Sequence, residues 1–478
     1  MAFKHGAHAS EEATAVSAVV EATAGLIVIV GTAPINLAKE PSINEAKLVF
    51  NQGEAVKLFG FSNDFRKYTI SEMTDSAFNL FEIAPVVMIN VLDPEKHSID
   101  GNTKVTVLKN KTKIEEEGIL LESLEITAAS GEASNPLVKD TDYLVKFNSD
   151  GFVDITVLDD KYKELNCTYK KLDPTKVTPG DIIGGIDIES GSSTGLELVN
   201  EVFPKYRLVP GQIIAPGFSD NPAVNAVLKT KAQNINKYFK AVSLSDLDSK
   251  QIVDYSKVPE WKEKNNYTSA FDFPLWPEIT LAGKQYRMST QAACLIASVD
   301  ATNGDIPFES PSNKALQMTG TVLADGREIS LGPDQAEYLN SQGITTALNW
   351  IGGWKLWGNH TGCFPANTDV KDSFLANRRM HNFIGNTLIL NSWSKVDNPT
   401  NDRQIDNILD TFGIYLNGLE ASGAIIGGRI EFLQADNPET SLLAGKTKFR
   451  VYLATPVPNE EIEFVLEYDV NYLKSFFE

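Results

Sequence analysis

The alternation of hydrophobic and polar positions is clearest near the carboxyl end of the chain. Over EIEFVLEYDVNYL, residues 461 to 473, one side is apolar and the other mostly acidic. The apolar side consists of Ile462, Phe464, Leu466, Tyr468, Val470 and Tyr472. A period of two predicts a long amphipathic strand. Its apolar face must be covered, either by the chain's own sheet, which is the default within one domain, or by the open edge of a neighbouring copy.

Other segments predict an α/β core. LIVIVGTAP from Leu26, and the run from Val86 to Leu92, have the continuous apolar pattern of strands buried on both faces. Between them, residues 71 to 81 have near-helical apolar spacing, which predicts a crossover helix. GQIIAPGF predicts a further strand, and the helix after it has Asp220 or Asn221 as a candidate cap with Pro222 in its first turn.

The segment from residue 99 to 200 has a different pattern and predicts a β-rich insertion. KVTVL, DYLVKF and FVDITVL alternate or run β-branched, with Asn, Asp, Gly and Ser between them. Residues 111 to 165 contain 13 acidic and 6 basic side chains, a net charge of −7. This charge suits a solvated outer surface.

An amphipathic helix is predicted over residues 402 to 419. Its apolar stripe consists of Ile405, Leu409, Phe412, Leu416 and Leu419. A different face carries Asp402, Asp406 and Asp410 at a spacing of four residues. A solvated face is the ordinary interpretation of such a row, and a docking surface is the alternative.

Composition sets the limits of the fold and its partners. A chain of 478 residues with 42% hydrophobic and 22% charged residues predicts a globular protein of about three domains. The net charge of −20 disfavours binding to nucleic acid phosphates. The first 24 residues are small and Ala-rich, which predicts an arm that is disordered or ordered only by a neighbour. No run near the start is long enough to insert into a membrane.

The sequence contains no recognisable catalytic, nucleotide-binding or metal-binding motif. AGKT at 444 to 447 has Thr440 where a phosphate loop needs glycine. The three cysteines lack the spacing of a zinc site, and the five histidines are scattered without a His-Glu-x-x-His pattern. Trp350, Trp354 and Trp357 could stack a sugar or a base, although a core or subunit contact is the ordinary interpretation. We therefore predict no enzyme, catalytic residue, cofactor or metal.

Several stretches resemble the contractile tail sheath family. They are IVIVGTAP, LVPGQIIAPGFSDNPAV, GWKLWGNHTG with FLANRRMHNFI, and a long match over residues 401 to 473. The stretches span both ends of the chain and its second half, and they leave the insertion uncovered. The match is strongest to the sheaths of simple contractile phages and R-type tailocins.

This resemblance implies an α/β, or α+β, multidomain subunit. Its parts would be a linking arm over 1–24, an α/β domain over 25–98 and 201–375, an outer β-rich insertion over 99–200, and a carboxyl-terminal sheath core over 376–478 that ends in a linking strand. The subunits would form stacked hexameric rings around an inner tube and contract to drive that tube through the target cell envelope. The alternatives are another tail component, such as a tube or baseplate protein, or an α/β hydrolase.

The implied partners are further copies of the chain, a tail tube protein, and baseplate and tail terminator proteins, with neither nucleic acid binding nor membrane insertion. The location would be the tail of a virion or tailocin assembled in the bacterial host cytoplasm. We assign linkage between subunits to the strand of residues 461 to 473 and to the arm, with Gly6, Ala9, Glu11, Thr14 and Val16 as its candidate residues. We assign tube docking to Asp402, Arg403, Asp406 and Asp410.

Overall fold

A computed structural model describes residues 19–129 and 136–476, with side chains as far as residue 473. Helices and strands are mixed along the chain, which confirms the predicted α/β class. In the described residues the α-helices are Gln52–Phe59 (α1), Thr69–Asp75 (α2), Pro179–Ile183 (α3), Val199–Tyr206 (α4), Pro222–Gln233 (α5), Val258–Lys264 (α6), Met288–Thr302 (α7), Pro333–Asn340 (α8), Val370–Ser373 (α9), Leu375–Ser392 (α10), Asp402–Ala421 (α11) and Glu439–Leu443 (α12).

The strands in the described residues form several sheets. These strands are Ile27–Gly31 (β1), Lys47–Val49 (β2), Val86–Asn90 (β3), Ser98–Thr106 (β4), Lys111–Ile114 (β5), Glu125–Ala128 (β6), Tyr143–Phe147 (β7), Val153–Val157 (β8), Glu164–Leu172 (β9), Gly185–Ile186 (β10), Ser193–Thr194 (β11), Gln212–Ile214 (β12), Val242–Asp246 (β13), Asp272–Leu275 (β14), Glu278–Leu281 (β15), Lys284–Tyr286 (β16), Gly320–Val322 (β17), Glu328–Ile329 (β18), Thr346–Trp350 (β19), Gly353–Trp357 (β20), Gly427–Glu431 (β21) and Arg450–Ala454 (β22).

A six-stranded sheet forms the centre of the molecule. Its strand order is β14-β13-β12-β1-β3-β2, and the pairs are parallel except for β2 with β3. Strands β1 and β3 are buried throughout, as their apolar runs predict for a sheet covered on both faces. Strand β13 is buried as well, although its sequence includes two serines and an aspartate. The sheet joins strands from both halves of the predicted α/β domain.

Local sequence explains how the helices beside this sheet begin. The predicted crossover helix is present as α2, which continues into a π-helical turn, Ser76–Leu80. Of the two candidate caps before α5, Asn221 is the cap, because its side chain accepts a hydrogen bond from the backbone N–H of Ala223. Pro222 occupies the first position of α5, where the missing N–H costs no hydrogen bond.

The β-rich insertion has a hydrophobic core of its own. Its strands form two three-stranded antiparallel sheets, β4-β9-β6 and β5-β8-β7. The buried side chains of this core run from Val107 to Tyr169, whereas Leu172, Val177 and Ile182 pack into the main core. The insertion limits at residues 99 and 200 stay predictions.

The predicted strand over residues 461 to 473 is wrong as a description of the single chain. After β22 the described chain has no regular structure until a 3₁₀ turn, Val470–Phe476. The alternating pattern gives the segment two chemically different faces, but a strand forms only where a second strand satisfies its backbone. Coverage by the chain's own sheet, the default expectation, is therefore not what the described residues adopt.

Two buried carboxylates lie where α2 and α7 meet the central sheet. Glu72 accepts hydrogen bonds from the backbone N–H of Arg287 at 2.6 Å and from its guanidinium at 3.3 Å. Asp246 accepts from the backbone N–H of Ser289 at 2.8 Å and from its hydroxyl at 2.5 Å. Burial raises the pKa of Glu72 to about 7 and that of Asp246 to about 6, despite these partners.

These raised pKa values predict that the free energy of unfolding decreases with rising pH. Each carboxyl binds its proton more tightly in the folded chain, so its contribution is complete below pH 4 and is lost as pH rises through 6 to 7. Asp246→Asn removes one of these titrations, and its thermal midpoint should fall less between pH 4 and pH 7 than that of the wild type. Asp406→Asn, at an exposed position, is the charge-matched control. Parallel profiles for Asp246→Asn and the wild type would contradict the assignment.

Candidate functional site

The segment of residues 461 to 473 exposes its apolar side chains to solvent. Phe464 is 83% exposed, Leu466 94% and Tyr468 80%, and Ile462 and Val470 are exposed as well. Soluble monomers rarely expose so many large apolar side chains in one stretch, and such a stretch is typical of an interaction surface. The candidate residues of the carboxyl-terminal linking strand thus lie on one exposed segment.

The stretch that precedes this segment, residues 455 to 460, forms its root and is held on the domain by side-chain hydrogen bonds. The Asn377 side chain donates to Thr455 Oγ1 at 2.6 Å and to the Pro456 carbonyl at 3.0 Å. Further along, the Asn359 amide donates to Glu460 Oε1 at 3.0 Å, and His360 Nε2 lies 3.2 Å from Glu460 Oε2. The hydrogen bond with His360 is the main cause that lowers the pKa of Glu460. The anchored part therefore ends at Glu460, next to the first residue of the predicted linking strand.

A two-stranded antiparallel sheet precedes the root. Strands β21 and β22 pair from Gly427 with Ala454 to Glu431 with Arg450, and in the described chain no third strand joins them. The sheet packs on α11, where Gly428 leaves room for Leu416 and Leu453, because a Cβ at Gly428 would lie 3.3 Å from each. A two-stranded sheet is marginally stable alone, and its open edges can pair with a strand from another chain.

Helix α11 places the predicted docking residues on its solvent side. It begins after Asn401, whose side chain accepts from the Gln404 N–H at 2.9 Å. Phe412, Leu416 and Leu419 are buried, whereas Ile405 and Leu409 at the first turns are only half-buried. The candidate tube-contact residues, Asp402, Arg403, Asp406 and Asp410, are exposed.

The candidate residues of the amino-terminal arm, Gly6, Ala9, Glu11, Thr14 and Val16, lie outside the described residues. The part of the arm that is described lies along α10. The backbone of Val20 bonds to the Asn391 side chain, and Ala22 N–H donates to Thr387. Sequence reasoning missed this role of α10 and the anchoring roles of Asn377 and His360. No local sequence pattern marks these residues, because α10 carries many polar side chains and His360 lies outside any periodic segment.

The tryptophan cluster does not form one stacking surface. All three residues lie on the β19–β20 hairpin, with Trp350 66% exposed near its tip. Trp354 packs against the main core, and Trp357 is three positions away on the same strand, so the two rings point to opposite faces. Trp357 lines a groove of about 930 Å³ beside the root of the carboxyl-terminal segment. The hairpin thus supports the interpretation as a packing element.

The described part of the chain contains neither a metal-ligating cluster, nor a disulfide, nor a helix that could span a membrane. Within it, no three His, Cys, Asp or Glu side chains are placed to hold a metal ion. The three cysteines are buried and unpaired. Over the same residues, every helix is too short or too polar to cross a membrane.

Relatives of the chain carry a consistent name. No family model matches the sequence. The chain is 24% identical over 486 residues to the tail sheath protein of Burkholderia phage BcepMu, with 98% of both chains covered. It is also 24% identical over 301 residues to the major tail sheath protein of Serratia phage KSP20, which covers 62% of this chain and 72% of the relative.

A solved structure has the same fold. The sheath complex of an extracellular contractile injection system, PVC, in its contracted state is 13% identical, covers 99% of both chains and has a TM-score of 0.59. The resemblance to the contractile tail sheath family is therefore confirmed. The relatives support a structural sheath subunit, favour neither a different tail component nor a hydrolase, and point to a structural protein rather than an enzyme.

The exposed carboxyl-terminal segment predicts self-association of the isolated subunit. Deletion of residues 461 to 478 should abolish binding of an apolar fluorescent dye and reduce association in sedimentation velocity. The thermal midpoint should stay within about 2 °C of the wild type, because the described side chains of this segment, residues 461 to 473, are exposed and contribute little to the core. A drop of about 5 °C or more would show that the segment packs on its own domain.

Proposed function

We propose that this chain forms a sheath of stacked hexameric rings around an inner tail tube and contracts to drive the tube through the target cell envelope. The observation that carries the proposal is the exposed alternating segment from Ile462 to Val470, beside an open two-stranded sheet, in a chain similar to named tail sheath proteins. An exposed segment with alternating apolar side chains and an open sheet edge on the same subunit would be complementary parts of one interface.

Linkage between subunits would occur by strand addition. The segment from Glu461 to Leu473 would pair with the open edge of a neighbour's β21–β22 sheet, and the amino-terminal arm would contribute a second strand. Main-chain hydrogen bonds would hold each link, and burial of each large apolar side chain would add roughly 1.5–3 kcal/mol. Because the donor and acceptor surfaces differ, the contact repeats without closing between two copies and builds a helical array.

Contraction would need no nucleotide and no catalytic residue. The extended array would be a kinetically trapped state, released by rigid-body rotation of the subunits to a packing of lower free energy. The links survive this rotation if bending is confined to the junction between the last domain contact, Glu460, and the paired strand that follows it directly. The chain would thus act as a structural protein and not as an enzyme.

Docking on the tube would use the solvent side of α11. Exposed charge pairs are weak and easily broken in water, which suits a contact that must release during contraction. Besides the tube, the proposed partners are further copies of the chain and the baseplate and terminator proteins at the two ends of the sheath. The particle would be a virion or tailocin tail assembled in the host cytoplasm.

Strand addition predicts that only one face of the linking segment matters. Leu466→Asp places a charge on the apolar face, whereas Glu467→Ala changes the adjacent position on the other face. Leu466→Asp should yield a folded, soluble subunit without long tubes in electron micrographs, and Glu467→Ala should polymerise normally. Both positions are exposed, so neither change should alter the fold. Long sheaths from Leu466→Asp would refute linkage through this face.

Tube docking predicts a charge effect specific to the first turns of α11, which carry the candidate residues. Asp406→Lys with Asp410→Lys should weaken co-sedimentation of tube with sheath by roughly tenfold, equivalent to about 1.4 kcal/mol. Glu420→Lys changes an exposed charge near the other end of the same helix, about 15 Å along the axis from Asp410, and should have little effect. Unchanged tube binding in the double variant would count against docking through α11.

A further inference from the structure

One row of side chains on α10 lies against the backbone of the amino-terminal arm. Asn391 donates to the Val20 carbonyl at 2.8 Å and accepts from the Val20 N–H at 2.9 Å. The Thr387 hydroxyl accepts from the Ala22 N–H at 3.1 Å, and the Arg379 guanidinium donates to the Ala24 carbonyl at 3.1 Å. The contacts therefore fall on every second residue of the arm.

The spacing of these contacts follows from the geometry of the two elements. Four residues of an α-helix rise about 6.0 Å, and two residues of an extended chain span about 6.6 Å. Side chains four apart on the helix can therefore meet backbone groups two apart on the arm. Asn391 thus contacts Val20, and Thr387, four residues earlier on the helix, contacts Ala22, two residues later on the arm. Arg379 lies two steps further along the row and reaches Ala24 with its longer side chain.

The row recognises the main chain of the arm. The Asn391 amide supplies one donor and one acceptor to the same residue, which is the pattern that a neighbouring strand would supply. Val20 meanwhile keeps 66% of its surface exposed, so its side chain adds little to the contact. The row is also rigid at its base, because buried Arg379 pairs with buried Asp300, whose carboxylate accepts from it at 2.9 Å.

The end of α10 sets the limit of this contact. The next position in the row would be residue 395, which lies beyond the last helical residue, Ser392. At the other end of the same helix, Asn377 holds Thr455 and Pro456 at the root of the carboxyl-terminal segment. From Asn377 to Asn391 the helix rises about 21 Å. One helix therefore contacts the roots of both terminal segments.

We propose that α10 is a backbone clamp that fixes where the amino-terminal arm leaves the subunit, with Thr387 and Asn391 as positioning residues. The inference rests on the proposed sheath function, in which both terminal segments link neighbouring copies. Force from a neighbour that holds the arm would then enter the subunit at Val20 and pass along α10 to the root of the other link. The clamp keeps the two links at a constant separation while subunits rotate.

Amide hydrogen exchange on the isolated full-length subunit tests the clamp directly. The N–H groups of Val20 and Ala22 should be protected in the wild type. They should exchange at least tenfold faster in Asn391→Ala with Thr387→Val, because both acceptors are removed. Ser392→Ala, next along the helix and outside the row, is the matched control. Asn391→Ala alone, at a half-buried position, should accelerate Val20 selectively and keeps the test valid if the double variant folds poorly. Equal exchange in the variants and the wild type would overturn the clamp.

Electron microscopy of the same proteins tests the positioning role. The double variant should form sheaths at least several-fold shorter than those of the wild type and of Ser392→Ala, with an unchanged thermal midpoint. Wild-type sheath lengths despite fast exchange at Val20 and Ala22 would overturn the positioning role. A wild-type chain that forms no sheath would instead refute the proposed function. The exchange result in the isolated subunit is independent of that outcome.

Discussion

The structure depends on one constraint, which is that an amphipathic strand is stable only when its apolar face is covered and its backbone is paired. The described segment of residues 461 to 470 meets neither condition within the described residues, and its side chains Phe464, Leu466 and Tyr468 are largely exposed to solvent. Strands β21 and β22 have the complementary deficiency, since they form a sheet of two strands with open edges. Both deficiencies are removed at once if the segment of one copy completes the sheet of another.

Firm roots make this exchange useful for transmitting force. Asn377, Asn359 and His360 hold the carboxyl-terminal root as far as Glu460, and α10 bonds to the backbone of the amino-terminal arm. Behind these roots lies one continuous hydrophobic core that includes the six-stranded sheet and residues of α10 and α11. A domain packed in this way moves as a rigid body, so rotation of subunits would be taken up by the short stretches next to the links.

Sequence patterns predicted the elements whose stability is local or whose environment is uniform. The apolar runs of β1 and β3, the cap at Asn221 and the helix from Asp402 are confirmed, because burial on both faces, capping chemistry and helical periodicity each leave a direct trace in the sequence. The alternating pattern from Ile462 predicts two faces, which stay a prediction because the segment forms no strand in the described residues. Periodicity encodes which side must be covered and does not encode which chain covers it.

Contacts between side chains and the backbone of a distant segment could not be predicted, because they produce no local pattern in the sequence. Asn391 and Val20 are 371 residues apart, and nothing in the composition of α10 distinguishes a polar residue that binds another segment from one that faces water. The buried acids Glu72 and Asp246 were missed for the same reason, since their burial is fixed by packing of α2, α7 and the sheet. The positions of Asp402, Asp406 and Asp410 on an exposed helix face were predictable, while their role in docking stays a prediction.

The central claim is that the carboxyl-terminal strand is completed by another copy of the chain. A reconstruction of the assembled polymer by electron cryomicroscopy measures this most directly, through the path of the main chain after Glu460. The account predicts that residues 461 to 470 are extended and hydrogen-bonded to the edge of the β21–β22 sheet of a neighbouring subunit. A segment folded back onto its own subunit in the polymer, with that edge still open, would contradict it.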